Sequence, residues 1–392
     1  MGASGGSGGA TPVGGSSGVE TTGGSAGLTA GAGGSPDGGI GGTAGQETGG
    51  SAGDGIGGVA TGGGGAGGGD QTPGVRIVGR YVDGPEGARF SWSGVSIQAR
   101  FQGTQATVDL IDGNNQNEFA VVVDGQVQDD LVTSAGTTSY PVVTGLADGV
   151  HELVLWRRTE AYYNPTEFLG LRDFGPGGAL VAPPPPPSRR LEIVGDSITA
   201  GYGNEGSPGC SGTKPENNYL AYGSVAARLL GADLHTIAWS GIGAYRNYNE
   251  VGPSDDAMGS KYDLAEPIQS SSTWDFSRYV PQAVIINLGT NDYSTHGDPG
   301  APFVDAYLDL VRLIRSHYAD AYVFCLIQQG DSEPAINQVV STLHQEGDAD
   351  VESFDINVNE GSWGGCDGHP DLVMHQAMGE RLAAEVASVL GW

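Results

Sequence analysis

From Arg76 to about Ala182 the chain alternates apolar and polar residues in short runs. "RFSWSGVSIQARFQG", "ATVDLID", "EFAVVVDG" and "HELVLWRR" each carry this period-two pattern and are bounded by Gly, Asp and Asn turns. No segment here sustains a helical period. The pattern predicts an antiparallel β-sandwich of jelly-roll type over residues 75–182.

"APPPPPSRR" then supplies a stiff polyproline linker over 183–190, and the pattern changes. Short apolar runs, "LEIV", "LHTIAW", "AVIINL", "AYVFCLI" and "VESFDI", read as buried strands. Amphipathic stretches lie between and after them: "NNYLAYGSVAARLL", "PFVDAYLDLVRLIRSHY", "PAINQVVSTLHQ" and "LVMHQAMGERLAAEVASVL". Phe303, Tyr307, Val311 and Ile314, for example, recur at helical spacing. Alternating strands and helices over 191–392 predict a parallel sheet covered on both faces, a three-layer α/β/α domain. In such folds chemistry gathers at the carboxyl ends of the strands.

Residues 1–74 stand apart. They are built from Gly, Ala, Ser and Thr, contain no Lys or Arg, and hold only five acidic residues. Too few large apolar side chains are present to offset the entropy of ordering, so this tract is expected to be a disordered tether.

A net charge of -29 narrows the partners. Nucleic acid and anionic membranes both select Lys/Arg clusters, and none is present. No apolar run reaches the length of a membrane span. A neutral polysaccharide suits this surface better. Met1-Gly2 leads straight into the low-complexity tract with no visible signal peptide, and Gly6 stands where a myristoylation motif needs Ser or Thr. Long Gly/Ser tethers commonly hang domains outside cells, so an extracellular or cell-surface location is expected, with the export signal removed. The protein is expected to act as a monomer. Three cysteines cannot all pair. Cys325 lies in an apolar run and reads as a core residue, whereas Cys210 and Cys366 lie in polar, Gly-rich loops and are either disulfide-bonded or free.

The strand ends carry the candidate chemistry. "GDSITAGYG" places Ser197 just past the first strand, as a helix N-cap or as a nucleophile. It is not a Gly-x-Ser-x-Gly elbow, because Thr199 takes the place of the second Gly. "SGIGAYRNY" supplies Gly241, a turn glycine or a bare backbone N–H for an oxyanion. "GTND" supplies Asn291, a cap or a neutral side-chain donor. "GGCDGHPD" packs a thiol, two carboxylates and an imidazole into residues 364–371. Pro370 keeps His369 out of the helix, and Gly368 lets the Asp367 carboxylate turn back toward the imidazole. No spaced Cys/His pair elsewhere completes a metal site, so neither metal nor cofactor is expected. A nucleophile, oxyanion donors and an oriented base, each at a strand end, point instead to a triad. Trp363 is a sugar-stacking or a core residue. Tyr202, Tyr245 and Trp239 also lie near strand ends, with nothing to select among them.

These blocks, GDS, a Gly after the second strand, GTND and D-x-H-P, resemble the SGNH (GDSL-type) hydrolase superfamily. "RFSWSG", "WRRTEA", "FLGL", "EIVGDSITAGYG", "NNYLAYG" and "GCDGHP" resemble carbohydrate esterase family 2 more closely, over roughly residues 76–392. The resemblance implies a β-sandwich ahead of an SGNH domain, acting on acetylated plant polysaccharides such as acetylxylan or acetylated glucomannan. It also implies Ser197 as nucleophile, His369 as general base, and the Ser197 N–H, Gly241 and Asn291 as the oxyanion hole. The superfamily places its Asp three residues before the His, where this chain has Cys366; Asp367, two before, matches the D-x-H form of some family members, while others work with a Ser–His dyad. Two alternatives remain. One is an SGNH lipase, lysophospholipase or thioesterase. The other is a non-catalytic carbohydrate-binding surface protein.

Overall fold

A computed structural model describes residues 74–112, 116–210, 215–328 and 330–392. The tether expected over residues 1–74 lies, Gly74 excepted, outside the described residues.

Strands from Val75–Val78 to Ala179–Val181 form two antiparallel sheets, one of seven strands and one of five. In the first, Ser96–Gly103 runs between Val75–Val78 and Gly149–Arg157, which pairs onward with Glu118–Val123. In the second, Thr166–Arg172 lies between Ala88–Phe90 and Ala106–Asp112. The alternation seen in sequence has a direct cause: Ile97, Ala99 and Phe101 are buried, while Gln98, Arg100 and Gln102 between them reach toward solvent. Phe90 of one sheet meets Phe119 of the other edge to face, centroids 6.5 Å apart, so the two sheets share one core.

The second half is a five-stranded parallel sheet in the order Asp233–Ala238, Arg190–Gly195, Ala283–Asn287, Tyr322–Ile327, Val351–Asp355. Successive side chains of the central strands serve opposite layers. Ile193 and Ile285 pack with Tyr222 and Met378 from helices Tyr222–Leu230 and Leu372–Leu390. Val194 and Ile286 pack with Phe303 and Ile336 from helices Ala301–His317 and Glu333–Glu346. Gly379 allows the first helix pair to cross closely, since a Cβ there would lie 2.6 Å from Val225. Cys325 is free and buried within its strand. The strand order reverses direction at Arg190–Gly195, which puts a crevice at the carboxyl ends of this strand and its neighbours.

The proline run does not hold the two halves apart. Trp92 of the sandwich donates its indole N–H to the Leu264 carbonyl at 3.2 Å, and Trp156 donates to Asn218 Oδ1 at 3.1 Å. Arg80 pairs with Glu192 at 3.2 Å, both side chains fully buried. Such a pair is costly to break once its partner is trapped without water. The halves are therefore joined by a desolvated seam rather than by a spacer alone.

Candidate active site

Gly195 ends the first parallel strand because nothing larger fits: a Cβ would sit 2.1 Å from Thr199 Oγ1 and 2.9 Å from the Asn287 carbonyl. Asp196 then caps the short turn Ser197–Ala200, its Oδ1 accepting from Ile198 N at 3.0 Å. Ser197 opens that turn at the crevice and is nearly buried. Its Oγ lies 2.7 Å from His369 Nε2, across 172 residues of sequence.

His369 is held from behind by a backbone atom. Its Nδ1 lies 2.9 Å from the Cys366 carbonyl, which also accepts the His369 backbone N–H at 3.0 Å. A carbonyl oxygen can only accept, so Nδ1 carries the proton and Nε2 presents a lone pair to the Ser197 hydroxyl. Burial lowers the His369 pKa from its ordinary value, opposed by the Cys366 carbonyl and the nearby Asp367 charge.

Asp367 is not the group that orients His369 through a hydrogen bond. Its backbone takes the left-handed conformation, φ 50° and ψ 32°, and its carboxylate turns to Tyr202, whose hydroxyl donates to Oδ2 at 2.9 Å. The extended geometry that would put residues 367 and 369 on one face is absent, because residues 366–368 form a 3₁₀ turn. The Tyr202 ring also meets the His369 ring edge-on at 4.8 Å. Burial and the Asp367 bond push the Tyr202 pKa up to about 12, so the phenol stays protonated as a donor. Asp371 serves as an N-cap, accepting from Met374 N at 2.9 Å. Cys366 is joined to Cys210 in a disulfide. The reactive side chains of "GGCDGHPD" thus go to four different partners, and among the described residues no cluster of His, Cys, Asp or Glu could hold a metal ion.

Gly241 follows the second parallel strand with φ +81°, a conformation that L side chains rarely adopt. Its loop is fastened by Asp292, whose carboxylate accepts the N–H groups of Ala244, Tyr245 and Arg246 at 3.0, 2.8 and 2.9 Å. Next to it, Asn291 Nδ2 donates to the Ile242 carbonyl at 2.7 Å and more loosely to Asp196 Oδ2 at 3.2 Å. The second N–H is the one a developing oxyanion can recruit. Glu160, from the sandwich, accepts both the backbone N–H and the hydroxyl of Ser240, the residue before Gly241. Burial pushes the Glu160 and Asp196 pKa values up to about 7 each.

Ser197, Gly241, Asn291 and His369 line one cavity of about 870 Å³. Trp363 stands in its wall, 42% exposed, and Tyr248 faces it, 59% exposed. Tyr202 lines the same space, whereas Tyr245 and Trp239 pack against the core. Sequence reasoning missed Tyr248, Asp292, Glu160 and the Cys366 carbonyl. Asp292 had a signal, as the last letter of "GTND". Tyr248 ends "SGIGAYRNY" and Glu160 lies in "WRRTEA", but neither block singles them out, because their places are set by loop and seam geometry.

Residues 77–184 match the family described as carbohydrate esterase 2 N-terminal, and residues 193–377 match the GDSL-like lipase/acylhydrolase family. The chain is 40% identical over 334 residues to the cellulase/esterase CelE of Acetivibrio thermocellus, covering 82% of this chain and 40% of that protein's length. It is 30% identical over 327 residues to an acetylxylan esterase / glucomannan deacetylase of Cellvibrio japonicus, covering 78% of this chain and 87% of the relative. Among solved structures, a family two carbohydrate esterase from Clostridium thermocellum in complex with cellohexaose superposes with a TM-score of 0.76 at 40% identity, covering 81% of this chain and 100% of the other. The chain belongs to carbohydrate esterase family 2.

Proposed function

We propose that this protein removes O-acetyl groups from plant polysaccharides, acetylxylan and acetylated glucomannan, through a Ser197 acyl-enzyme. The observation that carries the reading is the 2.7 Å contact between Ser197 Oγ and a His369 whose other ring nitrogen is already engaged. His369 Nε2 takes the hydroxyl proton as Oγ attacks the acetyl carbonyl. The Ser197 and Gly241 backbone N–H groups and Asn291 Nδ2 receive the charge on the carbonyl oxygen. Collapse releases the sugar hydroxyl, protonated by His369, and leaves acetyl on Ser197. Water, deprotonated by the same imidazole, then frees acetate.

The cavity lining favours a sugar over a lipid. Ser240, Thr290, Gln328 and Asn357 line it beside two exposed aromatic rings, and Ile198 is its aliphatic residue. The bound cellohexaose of the 40% identical esterase supports the same substrate class. An exported location fits a polymeric substrate and a disulfide, which persists in oxidising surroundings.

The test is acetate release from acetylated glucomannan and acetylated xylan, with Ser197→Ala alongside the wild type. Release that disappears in the variant supports the reading. Preference for long-chain acyl esters over both polymers would overturn the substrate assignment.

A further inference from the structure

The residue that orients the imidazole is also half of a disulfide. Cys366 is fully buried; its carbonyl accepts His369 Nδ1 at 2.9 Å, its N–H donates to the Gly203 carbonyl at 3.0 Å, and its sulfur is joined to Cys210 across 156 residues. Cys210 lies in the loop that follows the Ser197 turn. The disulfide therefore ties the nucleophile's loop directly to the base's loop.

The surrounding backbone makes room for this tie. A Cβ on Gly206 would lie 2.2 Å from Cys366 Sγ and 2.3 Å from Cys210 Sγ. One on Gly203, which has φ +68°, would lie 2.5 Å from Cys366 Cβ. The glycines of "GYGNEG" thus leave the volume that the sulfurs fill. Beyond Cys366, Asp367 sits in the left-handed region at φ 50°, a conformation uncommon for a residue with a side chain and here held by contacts on both sides. Two enforcing contacts come from the same first loop: the disulfide on one side and the Tyr202–Asp367 hydrogen bond on the other.

We infer that Cys210 is a positioning residue for ester hydrolysis: through its disulfide it holds the Cys366 carbonyl behind His369, so that reduction of this bond disables the base while leaving the fold intact. The inference rests on the acyl-enzyme reading above. In an enzyme whose imidazole is oriented by a carboxylate, the orienting group is a side chain on its own rotamer. Here it is main chain, and only the position of the loop sets it. Cys210 is partly exposed, which gives a reductant access to the bond.

The experiment treats the full-length oxidised protein with dithiothreitol, which gives up two electrons and two protons and closes to its own cyclic disulfide as the Cys210–Cys366 bond opens to two thiols. Thiol titration confirms opening, circular dichroism confirms the fold, and Cys210→Ala repeats the test while keeping the Cys366 carbonyl. The expected result is a fall in kcat of about tenfold or more on an aryl acetate, with KM little changed. Re-oxidation restores the wild type, and Cys210→Ala is low from the outset and indifferent to reductant. A readout that a merely structural tie would not move is the acid limb of kcat/KM. It should shift to lower pH, because the imidazolium loses the carbonyl that stabilises it. Reduced, folded protein that keeps its kcat and its acid limb would overturn the inference. So would activity that is lost only in step with unfolding. Oxidised wild type that hydrolyses no ester would instead bring down the esterase reading itself.

Discussion

Glu160, from the sandwich, accepts both the backbone N–H and the hydroxyl of Ser240, fastening the residue that precedes Gly241. A side chain of the first domain thereby sets the backbone of a loop that lines the catalytic cavity of the second. Leaving one partner of a buried hydrogen bond unsatisfied costs about 1–3 kcal/mol. Glu160→Gln, which exchanges one acceptor for a donor, is expected to lower kcat by roughly tenfold with little change in KM. Ser240→Ala should give a similar fall, and the double variant less than the product of the two. Steady-state kinetics on an aryl acetate check this; strictly multiplicative effects would show that the contact does not act on the loop.

Asn291 contributes differently. Its amide is tethered to the Ile242 carbonyl, and its second N–H, which donates to Asp196 Oδ2 at 3.2 Å, is the one expected to turn to the oxyanion. Removing one such donor typically costs about 2.7–4 kcal/mol, or roughly 10²–10³ in kcat. Asn291→Ala should show that loss in kcat, with KM for the polymer nearly unchanged.

The pH profile follows from burial. His369 acts as a base only when neutral, and activity falls as pH drops through its pKa. That pKa is displaced downward from the ordinary imidazole value of 6.5, so the acid limb of kcat/KM should lie below pH 6.5. A limb above that value would mean that another group controls ionisation.

The Asp367 carboxylate influences His369 through its charge rather than through a side-chain hydrogen bond. Its negative charge raises the His369 pKa against the larger effect of burial. Asp367→Asn should therefore move the acid limb further down while kcat at neutral pH stays within about threefold of wild type. Loss of an orienting triad carboxylate would instead lower kcat by about 10⁴-fold. The two outcomes are far enough apart for a single assay series to separate them.

Trp363 and Tyr248, exposed in the cavity wall, are expected to bear on the polymer alone. Stacking on an aromatic face contributes about 0.5–1.5 kcal/mol. Trp363→Ala and Tyr248→Ala should each raise KM for acetylated polysaccharide roughly two- to tenfold and leave aryl acetate kinetics unaltered.

Periodicity made most of the architecture legible in the sequence. Ile97 and Phe101 alternate with exposed neighbours because a half-buried strand demands it, and Phe303 to Ile314 recur because one helix face meets the sheet. Strand-end logic likewise located Ser197, Gly241, Asn291 and His369, which the structure brings to one cavity. Local geometry was less legible. Asp367 lies two residues before His369 in sequence, but a positive φ turns its carboxylate to Tyr202 and leaves the place behind the imidazole to a main-chain oxygen. No composition or spacing signals a carbonyl, since every residue has one. Glu160 was equally hidden: its role depends on how the sandwich docks, and docking is decided by contacts such as Arg80–Glu192 that join residues far apart in the chain.

The most direct test of the central claim is to catch the acyl-enzyme. Wild type and His369→Ala would be mixed with an activated acetyl ester, quenched in acid within the first turnover, and digested for peptide mass analysis. One acetyl group is expected on Ser197 in the wild type and none, on the same timescale, in His369→Ala. Acetate release by wild type with no acetylated Ser197 trapped, or acetyl on another residue, would contradict it.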